Sequence, residues 1–269
     1  MSLPSSTIQE LRNRFNPDGS LLRRHQLRML DMLLEFDRLC RDHDLRYWLS
    51  SGTLIGALRH QGFIPWDDDM DVEMPHEDYL KMLSILPQHL PSWLSLQSHE
   101  QDPNFIFCYA KLRDRNSFLD EGLPYDRRCH DRGVYIDIFP VERHPIWLHR
   151  LSEFTFGHIY KICRTHPDDD KAFKRAVMLY RLNTRFIYPF FRLIARCLPS
   201  RMHALGMGIP YHSRRNPGFL YPLRYVPFEG HLLPAPNKSD DMLRDIYGDY
   251  MQLPDLNKLA PHVAKLELE

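Results

Sequence analysis

The spacing of hydrophobic positions changes several times along this chain, and each change marks an element. From residue 21 to 43, Leu27, Leu30, Leu33, Leu34 and Cys40 recur at helical spacing among charged neighbours, behind the breaker cluster Pro17-Asp18-Gly19-Ser20. That spacing predicts an N-terminal amphipathic helix. Arg46 to Ser50 then runs into Ser51-Gly52-Thr53, after which Leu54, Ile55, Ala57 and Leu58 return to helical spacing. The reading there is strand, tight turn and helix start. Beyond a loop over 62–68 the period drops to two, with Asp69, Asp71 and Glu73 alternating against Met70, Val72 and Met74. Such alternation predicts a strand with one polar face.

Pro75 to Leu86 reads as a helix, since Pro suits a first turn and Glu77 and Asp78 suit the dipole there. Phe105–Leu112 and Val134–Phe139 are rich in β-branched and aromatic residues and predict strands. Residues 146–198 predict helices, with a break near Pro167 and a kink or end at Pro189. Prolines at 210, 217, 222, 227, 234 and 236 then predict loop until a short helix over Asp240–Tyr247. The mixture is that of an α+β chain.

Composition narrows the class. The 269 residues suffice for one large domain or a core plus an elaboration, and 43% hydrophobic with 26% charged residues excludes a disordered, collagen-like or coiled-coil chain. The first fifteen residues carry Glu10, Arg12 and Arg14 without an apolar core, and no uncharged apolar run reaches about 18 residues. Neither a secretory leader nor a spanning helix is expected. Five widely spaced cysteines without a C-x-x-C pair fit reduced thiols, so a cytoplasmic location is expected.

The candidate chemistry begins at the period-two segment. On a strand, Asp69 and Asp71 would share a face with Cα atoms about 6.5 Å apart, close enough for one hard divalent cation to bridge both carboxylates. Asp137 sits inside the apolar run Val134-Tyr135-Ile136-Asp137-Ile138-Phe139, where a buried carboxylate needs a partner. If the two strands are neighbours, the three acids converge. An EF-hand fails, because counting from Asp67 puts Val72 at the glycine position and Asp78 at the glutamate position. An Asp-x-Asp that holds a nucleotide-sugar through Mn²⁺, as in many glycosyltransferases, stays open. Ser51-Gly52-Thr53, opening a helix, offers N–H groups and hydroxyls to a phosphate. His158, Cys163 and His166 have no zinc-ligand spacing.

A glycine turn, an Asp-x-Asp and a lone strand Asp form the pattern of the nucleotidyltransferase (polymerase-β-like) fold. The stretches Trp48-Leu49-Ser50-Ser51-Gly52-Thr53-Leu54-Ile55-Gly56-Ala57-Leu58-Arg59-His60 and Gly62-Phe63-Ile64-Pro65-Trp66-Asp67-Asp68-Asp69-Met70-Asp71-Val72 closely resemble the signature of the LicD family, the bacterial phosphocholine transferases to which fukutin and fukutin-related protein are similar. Met70 departs from it, Ile being more usual. Lys111-Leu112-Arg113, residues 133–140 and Tyr247-Gly248-Asp249-Tyr250-Met251-Gln252-Leu253-Pro254 extend the resemblance.

The resemblance implies a nucleotidyltransferase-like core with a helical elaboration. It implies transfer of phosphocholine, or a related phospho-alcohol, from CDP-choline or another CDP-alcohol to a hydroxyl of a cell-surface glycan or its lipid-linked precursor. Asp69, Asp71 and Asp137 would hold Mg²⁺, with Mn²⁺ as an alternative, and Asp137 would take the acceptor proton. Ser51, Gly52, Thr53, Arg59, Lys111 and Arg113 would face the donor phosphates. Tyr47, Trp48, Phe63 and Trp66 are expected in the core and pocket wall, where aromatics could also box a choline headgroup. The expected organisation is a catalytic core with its N-terminal helix over 1–145, a basic, aromatic helical insertion over 146–205, and a loop-rich segment over 206–269 packing back on the core. A nucleotide-sugar glycosyltransferase and a non-enzymatic membrane-associated scaffold are the rival readings.

Net charge is zero, yet Lys171, Lys174, Arg175, Arg181, Arg185, Arg192, Arg196 and Arg201 are interleaved with Phe173, Tyr180, Phe186, Tyr188, Phe190 and Phe191 without one acid between residues 171 and 201. Two readings compete: helices packed on the core with a solvated basic face, or a peripheral contact with anionic membrane. Nucleic acid is not an expected partner, since no binding module is present.

Overall fold

The computed structural model describes residues 2–211, 214–259 and 265–268, with the side chains of residues 124 and 125 excepted. The breaker at Pro17–Ser20 separates α1 (Ser5–Phe15), which hydrophobic spacing alone does not announce, from α2 (Leu21–Asp42). The Ser20 hydroxyl caps α2 by accepting the Arg23 N–H at 3.2 Å. One stripe of α2, including Met29, Leu33 and Phe36, is buried in the main core. β1 (Trp48–Leu49) leads at once into α3 (Ser51–His60), and β2 (Asp71–Pro75) leads into α4 (His76–Ile85). Asp69 therefore precedes the strand instead of lying on it.

The sheet is completed by β3 (Leu94–Gln97), β4 (Ala110–Asp114) and the nine-residue β6 (Tyr135–Arg143), while β5 (Ser117–Asp120) lies outside it. The central order is β1-β2-β6-β4-β3, with β2 and β6 parallel and the other pairs antiparallel. Val72 and Met74 face Leu33 and Phe36 in the main core, whereas Asp71 and Glu73 project to the other face. The polar face of β2 is thus real but covered: Glu73 is fully buried. The strand expected from Phe105 begins only at Ala110, because Phe105, Phe107 and Tyr109 pack ring against ring at centroid distances of 5.3–5.8 Å. Alternating aromatics imitate a strand pattern there.

A helical unit follows, comprising α5 (Ile146–Thr165), α6 (Asp170–Leu182), a π turn at Asn183–Ile187 and α7 (Tyr188–Cys197). It has its own core, in which Phe156, Ile159, Phe173 and Tyr180 meet Ile106. Pro189 neither ends nor breaks the helix; the wider turn just before it accommodates the missing N–H and the ring. The chain then returns to the sheet, where β7 (His203–Leu205) pairs with the second half of β6, and β8 (Arg214–Arg215) pairs with β7.

After α8 (Pro217–Leu220), the region expected to be loop contains a hairpin of β9 (Arg224–Phe228) and β10 (His231–Ala235). Pro227 and Pro234 are tolerated because a two-stranded ribbon has outward-facing positions that need no N–H. Glu229 and Gly230 both take positive φ at its turn, 49° and 83°. The hairpin packs on α3 and β1, and α9 (Ser239–Tyr247) follows it. A last strand, β11 (Lys265–Leu268), pairs with β5. All five cysteines are free, and no helix among the described residues is long and apolar enough to cross a membrane.

The end of α3 is tied to this C-terminal region by Arg59. Its guanidinium donates to the Tyr250 carbonyl at 2.5 Å and to His60 Nε2 at 2.9 Å. His60 can accept only while neutral. Burial first, and then the Arg59 charge, lower its pKa to about 3. The unfolded chain takes up this proton near pH 6.5 and the folded chain does not, so His60 withdraws stability as pH falls from about 6.5 toward 3. His60→Gln keeps an acceptor without the titration. Between pH 7 and 5 its urea midpoint should fall less than that of the wild type, and an equal fall in both would contradict the assignment.

Candidate active site

The parallel register of β2 and β6 places Asp71 opposite Asp137, and the antiparallel register of β6 and β4 places Lys111 opposite Asp137 on the other side. Three adjacent strands thus present a row of acid, acid and cation, with backbones about 4.8 Å apart. Lys111 Nζ lies 2.8 Å from Asp137 Oδ1 and 3.2 Å from the centre of the Tyr135 ring. The ammonium is held by charge on one side and by a π face on the other.

Two cavities meet over this row. The first, about 760 Å³, is lined by Ser51 and Gly52 at the start of α3, by Asp67, Asp69 and Asp71, and by Arg214 and Tyr247. The second, about 620 Å³, is walled by Tyr109, Tyr135, Phe156 and Tyr160, with Glu121, Asp126 and Glu153 among them. Asp69, Asp137 and Tyr211 border both.

The electrostatics of the acids are dominated by burial and mutual repulsion. Asp71 is raised well above the usual carboxylate range by burial first, then by Asp69, Asp137 and Asp67, against which a hydrogen bond from Ser51 acts. Asp67 is raised by burial and by Asp69 and Asp68. Burial also raises Asp137, with Lys111 opposing it. Tyr211, which lines both cavities, is raised by burial and then by Asp137, Asp71 and Asp69.

Local structure explains the positions at the head of α3. Ser51 opens the helix with φ of +47°, a left-handed conformation unusual for a side-chain-bearing residue. A Cβ at Gly52 would stand 2.7 Å from Asp67 Oδ2, so only glycine lets that carboxylate approach. The Thr53 hydroxyl accepts the Asp71 N–H at 2.9 Å and so joins α3 to the first residue of β2.

Of the expected site residues, Ser51, Gly52, Asp69, Asp71, Lys111 and Asp137 line the two cavities, while Thr53, Arg59 and Arg113 line neither. Arg113 is buried, donating to Gln97 Oε1 at 2.9 Å and to the Gly133 carbonyl at 2.8 Å, and Arg59 is spent on Tyr250 and His60. Tyr47, Trp48 and Phe63 are core residues, so the aromatic wall is built from others. Asp67, Arg214, Tyr211 and Tyr247 were not expected at the site. Asp67 and Tyr247 had a local signal, the one inside the 62–72 stretch and the other as the first residue of its C-terminal block.

Arg214 is brought in by its neighbour. Arg215 Nη2 and Nε meet Glu73 Oε1 at 2.5 and 3.0 Å, and Glu73 also accepts from Trp48 Nε1 and the Ser50 hydroxyl. This buried pair clamps β8 over β2.

The aspartates are hard oxygen donors, which is the chemistry a divalent cation such as Mg²⁺ requires. Among the described residues no three acidic, His or Cys side chains form a closed ligand group. Asp137 is engaged by Lys111 instead. The donor set fits a hard cation; the arrangement is open.

Residues 44–166 match the family model described as LicD/FKTN/FKRP, nucleotidyltransferase domain. The chain is 27% identical over 263 residues to a lipopolysaccharide cholinephosphotransferase LicD of Haemophilus influenzae, covering 90% of this chain and 95% of that one. It is 44% identical over 149 residues to an uncharacterised protein of Rickettsia typhi, covering 54% of this chain and 47% of that one. It is 53% identical over 34 residues to the human ribitol 5-phosphate transferase FKRP, or 13% of this chain and 7% of that one.

Because Asp71 is held among like charges, neutralising it should relieve strain in the metal-free protein. Asp71→Asn is expected to raise stability in chelator by about 1 kcal/mol or more, read as an increase in melting temperature. A decrease would show that Asp71 is instead a structural anchor.

Proposed function

Since the chain belongs, over residues 44–166, to the LicD family related to fukutin and fukutin-related protein, we propose that it transfers phosphocholine from CDP-choline to a hydroxyl of a cell-surface glycan or its lipid-linked precursor, on a polymerase-β-like nucleotidyltransferase core. The observation that carries this reading is the meeting of two unlike cavities at Asp69 and Asp137. One offers a helix start, Arg214 and carboxylates, suited to a diphosphate with its cation. The other offers aromatic walls and four further acids, Asp68, Glu121, Asp126 and Glu153, suited to a trimethylammonium group through cation–π and charge attraction. A neutral polyol would bring no positive charge to meet Glu121, Asp126 and Glu153.

The transfer forms a bond from the acceptor oxygen to the phosphorus bearing choline, and breaks the anhydride bond to CMP, which leaves with its phosphate. Asp137, whose proton affinity burial raises, takes the acceptor proton. Lys111 holds that carboxylate toward the junction of the cavities and balances charge there. Ser51 and the N–H groups at the head of α3 orient the donor, and Tyr211 and Tyr247 close over it. Mg²⁺, held by Asp69 and Asp71 together with Asp137, would offset the negative charge of the transferring phosphoryl group and the departing nucleotide.

A donor panel of CDP-choline, CDP-glycerol, CDP-ribitol and nucleotide-sugars tests the reading. CMP release from CDP-choline in Mg²⁺ is expected. Preference for a nucleotide-sugar would establish the glycosyltransferase alternative, and inertness toward all donors a non-enzymatic one. Asp137→Asn should lower kcat by about a thousandfold. Tyr160→Ala should raise KM for CDP-choline by roughly tenfold and leave a polyol donor unaffected; an equal change for both would remove the aromatic wall from the headgroup assignment.

A further inference from the structure

The continuous helical run of α6, the π turn and α7 buries one face and leaves an apolar stripe on the other. Phe173, Ala176, Tyr180, Tyr188, Phe191 and Ala195 are buried, whereas Met178, Leu182, Phe186, Phe190 and Leu193 are each 46–67% exposed. The exposed five are separated by steps of four, four, four and three residues. A step of four overshoots the 3.6-residue turn of an α-helix. The wider turn at Asn183–Ile187 takes that drift back, so the stripe stays on one side across Pro189. The neighbouring α5 exposes a second stripe, Trp147, Leu151 and Phe154.

Cations accompany the apolar stripe. Lys171, Lys174, Arg175, Arg185 and Arg196 are exposed along the same run, and no acid lies between residues 171 and 201. Two basic residues of this window turn elsewhere: Arg192 binds Glu142 at 2.6 and 3.0 Å, and Arg181 leans on His99 at 3.3 Å. Exposed aromatic and aliphatic side chains in this number are unusual on a surface without an occupant.

We propose that the outer face of α6 and α7 docks on an anionic lipid surface, its aromatic stripe entering the headgroup region while the flanking bases meet phosphates. The charge pattern selects this occupant. A second copy of the same face would set like charges against one another, whereas an anionic leaflet supplies the missing acid over a wide area. α5 links this face to the candidate site, since Glu153, Phe156 and Tyr160 on its other side line the aromatic cavity.

Co-sedimentation of the full chain with vesicles tests the proposal independently of any donor. Binding is expected to vesicles of phosphatidylglycerol mixed with phosphatidylcholine, not to phosphatidylcholine alone, and should fall at least tenfold in high salt. Phe186→Ser with Phe190→Ser, and separately Arg175→Gln with Arg185→Gln and Arg196→Gln, should each reduce binding at least tenfold, with melting temperatures unchanged because these side chains are exposed. Three results would overturn the proposal: no binding to anionic vesicles at low salt, wild-type binding by the Phe186/Phe190 variant, or a lipid-free dimer abolished by the same substitutions.

Discussion

The parallel pairing of β2 with β6 is the constraint around which the molecule is arranged. Its register sets Asp71 against Asp137 across about 4.8 Å of sheet, a placement that costs free energy in any empty site. The pairing persists because the opposite face of the same strands is committed to the core, where Val72, Ile136 and Ile138 pack beneath α2. A shift by one residue would exchange those apolar side chains with the acids. The hydrophobic face therefore enforces the electrostatic strain on the other.

What limits that strain is equally specific. Lys111 arrives from the next strand in register with Asp137, and Tyr135 holds its ammonium from beside it. The hydroxyl of Thr53 takes the first N–H of β2, and the absent side chain of Gly52 gives Asp67 its room. The left-handed Ser51 and the crowded carboxylates are local departures from what the backbone and the charges would prefer. Departures of this kind collect where a protein is arranged to receive a ligand.

Much of this was visible in the chain itself. The change to period two marked β2, and a carboxylate in an apolar run marked Asp137, because both signals are local and alternation has a direct geometric meaning. Asp69 was assigned to the strand because pattern does not show where pairing begins. Arg59 and Arg113 read as phosphate-facing cations, since sequence reveals a charge but not which way it points; the nearby carbonyls and Gln97 claim both. The β9–β10 ribbon was hidden by prolines whose penalty depends on which edge they occupy. Arg214 and Tyr211 lacked any signal, being carried to the site by a buried ion pair and a return of the chain that only tertiary structure reveals.

That ion pair also separates two meanings of a domain boundary. The stretch that the family model matches ends at residue 166, yet Glu73 within it is neutralised by Arg215 beyond it. A fragment trimmed to the matching stretch would retain every aspartate of the row and Lys111, but would leave a buried carboxylate facing empty space and the second half of β6 without its partner strand. The unit that the family model spans is thus smaller than the unit within which the buried charge of Glu73 is paired.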